Sequence, residues 1–302
     1  MAVELKKRKK AETFDIVNTI FVVLITILFL YPLYFCIVAS LSAPSEVMAG
    51  NTILWFKGFN FDNYKHAFQE KQLWVGYRNT IIYTVLGTLY NLVMTIPTAY
   101  ALSKRDLPFR KAISWLYLLT MYFGGGMIPS YFLIKSLGLL DNPLVMIVGT
   151  GCSAFNLIIT RQYFLNNIPG ELYEAAAVDG GNEWHCFSRI AMPLAKPIVA
   201  VVALYCAVGR WNSYFNALLY IRSDEYKPLQ LVLREILITT KSSPGDVEIT
   251  DPDMMVQILE RMLLAEGMQY AVIFIASAPL LIAFPFIQKY FVQGTMVGSV
   301  KG

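Results

Sequence analysis

Six stretches of this 302-residue chain are rich in apolar residues and, apart from Arg210, free of charge: 16–39, 79–103, 112–134, 142–160, 197–221 and 267–288. Each approaches or exceeds the roughly 20 apolar residues that an α-helix needs to cross about 30 Å of hydrocarbon. The alternating segments of about ten residues that mark a transmembrane β-barrel do not occur. The pattern therefore predicts an all-α integral membrane protein with six transmembrane helices. Pro97, Gly124-Gly125-Gly126, Pro129, Pro279 and Pro285 fall inside these runs. Such breakers are tolerated where neighbouring helices re-satisfy the backbone, and they fit bent helices around a pathway.

Composition strengthens this reading. Hydrophobic residues make up 56% of the chain and charged ones 15%, with a mean hydropathy of +0.50, whereas soluble domains carry about 25% charge. A net charge of +4 is too small to suggest nucleic acid as a partner, and no basic-aromatic stripe supports one. Lys6, Lys7, Arg8, Lys9 and Lys10 precede the first run, which at 24 residues is longer than the roughly 7–15 of a signal peptide's apolar core. The expected division is a basic cytoplasmic N-terminus over 1–15, a membrane domain over 16–292 and a cytoplasmic tail over 293–302. With the N-terminus inside, the inner segments hold 14 Lys and Arg residues in 73 positions, against 10 in 91 outside. That bias has the sign of the positive-inside rule. Cys36, Cys152, Cys186 and Cys206 are widely spaced without a CxxC pair, which fits small buried hydrophobes better than a disulfide framework.

Little in the chain resembles enzyme chemistry. No GxxxxGK(S/T) loop cradles phosphate, and the two histidines, His66 and His185, stand in no metal-ligand spacing. Arg210 is the one charge within a run. At a helix centre it costs roughly 2.5–3.5 kcal/mol to insert, so its face belongs in a cavity or a helix interface rather than against lipid. Around it stand Trp211, Asn212, Tyr214 and Asn216. Asn212 and Asn216, four apart on a continuous helix, would share a face. The aromatic rings offer apolar surface with polar edges. This mixture suits a sugar, and a guanidinium suits a carboxylated one.

Residues 169–197, PGELYEAAAVDGGNEWHCFSRIAMPLAKP, form the longest polar interruption on the inner side. Pro169 suits a helix start, Glu171 and Glu174 suit the positive end of its dipole, and Gly180-Gly181 suits its stop. Asn182 suits the cap of a second helix, which Pro193 is expected to end. A polar elbow of two helices between membrane spans reads as a docking element.

The elbow's spacing is Glu174-Ala175-Ala176, three residues, Gly180, nine residues, Ile190, one residue, Met192-Pro193. It resembles the EAA loop of binding-protein-dependent ABC importer permeases, EAA-x3-G-x9-I-x-LP, with Met192 in place of Leu as the only departure, a near-isosteric one. The segment WNSYFNALLY and the tail QKYFVQGTMVGSVKG are similar to the maltose-transporter-like carbohydrate importers, the tail to the second, MalG-type permease of the pair. The resemblance implies a transport subunit rather than an enzyme, placed in a bacterial cytoplasmic membrane with both termini cytoplasmic. It implies a second permease subunit, two ABC ATPases and an extracytoplasmic solute-binding protein as partners. ATP and Mg would sit on the ATPase and no cofactor on this chain. Glu174, Ala175, Ala176, Asp179, Gly180, Ile190 and Pro193 would seat on the ATPase, and Gly298 and Lys301 of the tail would reach it. The cargo implied is a sugar or oligosaccharide, including complex or uronate-containing ones. A non-sugar importer is the alternative. An ion-coupled secondary transporter would need intramembrane acidic groups, and no Asp or Glu lies in the six runs.

Overall fold

The computed structural model describes residues 13–149, 151–241 and 252–296, and every regular element among them is a helix. Residues 1–12 of the expected N-terminal segment, and Gly298 and Lys301 of the tail, lie outside the described residues. In chain order the helices are α1 (Thr13–Ser40), α2 (Pro44–Met48), α3 (Asp62–Gln69), α4 (Lys71–Ser103), α5 (Arg110–Tyr122), α6 (Met127–Ser136), α7 (Leu144–Val148), α8 (Ala154–Asn167), α9 (Glu171–Val178), α10 (Glu183–His185), α11 (Met192–Leu194), α12 (Lys196–Trp211), α13 (Tyr214–Tyr220), α14 (Leu229–Lys241) and α15 (Pro252–Met296). A π-helical turn, Cys186–Ala191, joins α10 to α11.

The described residues divide into two compact units, one within 13–69 and 239–275 and one within 70–238 and 276–296. In the first, the apolar side chains of α1 are exposed from 13 to 34, the arrangement of a helix that meets lipid. Its far end is knotted by Asn63, whose Nδ2 donates to the carbonyls of Ser40 (3.1 Å) and Ser42 (3.0 Å). Gly267 packs so closely on Asn63 and Pro44 that a Cβ would overlap both.

The second unit is built on α4. Gly76, Thr80, Tyr83, Gly87, Asn91, Thr95 and Ala99 are buried on one face at helical spacing, while Ile81, Val85, Leu89 and Val93 are exposed on the other. A water-soluble helix has the opposite polarity. In a membrane, small residues let backbones approach and polar ones hydrogen-bond across helices. Leu229 and Val232 close on Gly76, and the Leu229 N–H donates to Thr80 Oγ1 (2.8 Å). Farther along, an apolar core gathers Ile96, Leu102, Leu157, Phe164, Ile198 and Val202 from α4, α8 and α12. Arg161 Nε donates to the Leu102 carbonyl (2.9 Å), satisfying an acceptor that the end of α4 leaves open.

Among the described residues, three helices are long and apolar enough to cross a membrane: Thr13–Ser40, Lys71–Ser103 and Ala265–Pro285. Two bent pairs would bring the number to five: α5 with α6, bent by 116°, and Glu183–Leu194 with α12, bent by 77°. Three of the runs predicted as single helices are thus interrupted. In 112–134 the break is the glycine triplet, where Gly126 sits at φ +84°, a conformation open to glycine without strain. Run 142–160 is divided between α7 and α8, and 197–221 between α12 and α13 at Asn212–Ser213. The prolines do not break their helices: Pro97 lies inside continuous α4, and Pro279 and Pro285 inside α15. Pro129 falls in the first turn of α6, whose N–H groups lack helical partners anyway.

Candidate functional site

A cavity of about 710 Å³ opens within the second unit among α4, α6, α7, α8, α12 and α13. Its polar lining is mostly neutral, including Asn91, Ser130, Ser153, Asn156, Ser213 and Asn216, with Tyr83, Phe155, Tyr205 and Tyr220 supplying rings. Arg210 is the only charged residue among the described residues that line it. Its guanidinium lies across Gly87, where any Cβ would overlap it. Nε and Nη2 both donate to Asn91 Oδ1 (3.2 and 2.9 Å), and Nη1 donates to the Met146 carbonyl. Asn91 is held in turn by its Nδ2, which donates to the Gly151 carbonyl (2.7 Å). All these acceptors are neutral, so the guanidinium's charge is oriented but not cancelled by them.

The break between α12 and α13 reorganises the neighbours expected to act with Arg210. Asn216 lines the cavity, but Asn212 does not. Asn212 is the C-terminal cap of α12, with its Nδ2 donating back to the Val208 carbonyl (3.0 Å). The expected shared face of Asn212 and Asn216 is therefore absent, because the two stand on opposite sides of a helix end. Trp211 is buried edge-on against Tyr77 (6.3 Å between centroids) and Tyr214 is exposed beside Phe215; neither lines the cavity. Gly87 and Asn91, which pin Arg210, escaped the sequence reading. They stand four apart in the run 79–103, so a search for small and polar residues at helical spacing inside apolar runs would find them.

The elbow has a defined geometry. α9 ends in a double closure: Gly181 N–H donates to the Ala176 carbonyl (2.7 Å) and Gly180 N–H to the Ala177 carbonyl (3.1 Å), with Gly180 at φ +79°. This is the Schellman arrangement, which favours glycine at that position. Asn182 caps α10 by accepting from the His185 N–H (2.8 Å). Pro193 stands one residue before the second helix ends at Leu194, close to the end expected of it. The π-helical turn before it carries the Met192 N–H to the Phe187 carbonyl, and helix resumes through Met192–Leu194 before bending at Ala195. A wider turn relieves the clash that a proline ring makes with the preceding carbonyl.

Ala176 faces inward, with Cys186, Ala191 and Ala195 buried around it and Ile190 packed against them. Glu174, Ala175, Asp179, Gly180 and Pro193 are exposed. So are Val178 (88%) and Trp184 (71%), giving the elbow an acidic and apolar outer surface. Tyr173 turns toward the bundle, and burial, followed by neighbouring Cys186 and Glu183, pushes its hydroxyl up to about 12.

The family described as "binding-protein-dependent transport system inner membrane component" matches residues 73–297, a span that holds both the cavity and the elbow. The chain belongs to this family. It is a membrane permease component, with a role in transport. Protein LplC of Bacillus subtilis (strain 168) is 38% identical over 294 residues, 97% of either chain. The polygalacturonan/rhamnogalacturonan transport system permease protein YtcP of the same organism is 35% identical over 298 residues, 97% of this chain and 100% of its own. Among solved structures, a chain from a bacterial ABC transporter involved in the import of the acidic polysaccharide alginate is 34% identical. It superposes with a TM-score of 0.82, covering 92% of this chain and 96% of that one.

Proposed function

We propose that this chain is one permease subunit of an ATP-driven importer for acidic oligosaccharides, and that Arg210 receives a carboxylate of the passing solute. The observation that carries the proposal is the charge of Arg210, which no acidic side chain among the described residues neutralises, in an otherwise neutral, ring-lined cavity. A guanidinium has five N–H groups and keeps its charge in proteins, and three of the five are engaged by Asn91 and Met146. In a site screened from water, a carboxylate is attracted far more strongly than in bulk solvent, while tyrosine and phenylalanine rings accept the apolar faces of sugars. Two of the similar proteins handle polygalacturonan/rhamnogalacturonan and alginate by name, and both names describe acidic polymers. Asn216 belongs to this pathway; Trp211, Asn212 and Tyr214 support its walls.

In this reading the chain crosses the membrane six times, the interrupted runs included, with both termini in the cytoplasm. The elbow is the joint to a separate ATPase. Glu174 and Asp179 meet basic groups, Ala175 permits close approach, Ala176, Ile190 and Pro193 set the elbow's shape, and the tail with Gly298 and Lys301 reaches the same partner. A second permease completes the pathway, and a solute-binding protein delivers cargo from outside. Binding linkage is reciprocal, so the loaded binding protein favours the ATP-bound state across the membrane. The test is uptake into proteoliposomes holding the assembled transporter, its binding protein and ATP. Oligogalacturonates are expected to enter and their neutral, reduced counterparts to be excluded; import of neutral sugars alone contradicts the proposal.

A further inference from the structure

Two pairs of groups from distant parts of the sequence, Tyr100 with Lys104 and Tyr173 with Glu183, converge where the elbow meets α4. Lys104, just beyond the end of α4, holds its Nζ 3.6 Å from the ring centroid of Tyr173 on α9 and 4.8 Å from that of Tyr100 on α4. The same Nζ lies 3.4 Å from Oε2 of Glu183, the first residue of α10. The Tyr100 hydroxyl donates to that carboxylate oxygen as well (3.0 Å). Tyr100 also packs edge-on to Tyr173 at 6.0 Å and tilts against Phe187 at 5.1 Å.

Local helix chemistry does not explain this cluster. Asn182 already caps α10, and Arg161 already serves the end of α4. Glu183 is 75% exposed in its side chain, yet one oxygen takes both Lys104 and Tyr100. Lys104 thereby grips both halves of the elbow, α9 through an aromatic face and α10 through charge, and fastens them to α4. A cation over an aromatic face is held by the ring's quadrupole and gains when partly withdrawn from water; the Lys104 side chain is 23% exposed.

The fastening reaches the cavity. α4 is helical from Lys71 to Ser103, and the 13 residues from Asn91 to Lys104 span about 20 Å at 1.5 Å per residue. Asn91 is the residue that holds Arg210. Arg210 itself rides on α12, which continues from the elbow after the 77° bend. The elbow is thus joined to the Asn91–Arg210 pair twice, covalently through α12 and by the Lys104 cluster through α4.

We infer that Lys104 is a positioning residue for energy coupling: it makes the elbow and α4 move together, so that a displacement of the elbow reaches Asn91 as well as Arg210. The inference rests on the elbow being the joint to the ATPase. The assembled transporter in proteoliposomes tests it, through ATP hydrolysis with and without loaded binding protein and through uptake per ATP hydrolysed. Lys104→Met keeps the stem and removes the charge. It is expected to assemble with the ATPase and hydrolyse ATP without binding protein, but to lose at least fivefold in both stimulation and uptake per ATP. Lys104→Arg, which retains charge and ring contact, should stay within twofold of wild type. Should Lys104→Met not assemble, Tyr173→Leu and Glu183→Gln each remove one grip and should each lower uptake per ATP at least twofold. Wild-type stimulation and uptake per ATP in these variants would overturn the inference, as would a loss confined to the amount of assembled transporter. A wild-type transporter that no binding protein stimulates would instead overturn the coupling role of the elbow, and this inference with it.

Discussion

Arg210 and Gly87 work as a pair in which one residue's charge occupies the space another's missing side chain leaves. A Cβ at position 87 would overlap the guanidinium, and a long flexible side chain yields more readily than backbone. Gly87→Ala should therefore fold and insert while driving Arg210 off Asn91. The expected outcome is at least a fivefold loss of acidic-oligosaccharide uptake with near-normal protein in the membrane, read by transport assay and quantitative blotting. A second residue-scale prediction concerns Asp141, at φ +54°. Its carboxylate accepts from the Ser223 hydroxyl (2.5 Å) and from the backbone N–H groups of Ser223 and Arg222 (2.8 Å each). The Ser223 hydroxyl first, and those N–H groups next, hold its pKa below the ordinary 3.8. A carboxyl whose folded pKa is depressed stabilises the fold above the unfolded value and loses that contribution as pH falls through the folded one. Asp141→Asn should thus lower the unfolding temperature at about pH 6, and the gap to wild type should close below the ordinary carboxylate range. Thermal unfolding in detergent across pH checks this.

Among the elements, the elbow and α4 contrast in how far sequence reveals them. The elbow was legible because its devices are local: a glycine after the helix, an asparagine cap and acidic residues in the first turn each act within a few positions. Its one surprise is the π-helical turn ahead of Pro193, which single-residue preferences do not encode. The break at Asn212–Ser213 was hidden for a related reason. The run 197–221 is apolar throughout, so hydropathy reads it as one helix, whereas the termination is a matter of backbone geometry and tertiary contacts. Gly180 gives this scale its prediction. A residue with a Cβ in the left-handed region costs roughly 1–2 kcal/mol, so Gly180→Val should lower stability by about that amount and misdirect α10. The expected result is reduced co-purification of the ATPase with the membrane-inserted chain.

At the scale of the whole molecule, the apolar runs established the membrane and the EAA spacing established the family, because both are properties of long stretches. The cavity was only partly legible. Arg210 stood out as a charge in an apolar run, but Asn91, Gly87 and the Met146 carbonyl come from helices 64 to 123 positions away in sequence, and no local pattern links them. Coupling across the molecule predicts that Glu174→Lys, exposed on the elbow, inserts normally yet abolishes the ATP hydrolysis that loaded binding protein stimulates in wild type. The central claim is that the charge of Arg210 selects the solute within the membrane. It is tested most directly by the ratio of acidic to neutral oligosaccharide uptake, in proteoliposomes holding the complete transporter, for wild type against Arg210→Gln. The account predicts that the ratio falls at least tenfold in the variant; an unchanged ratio would contradict it.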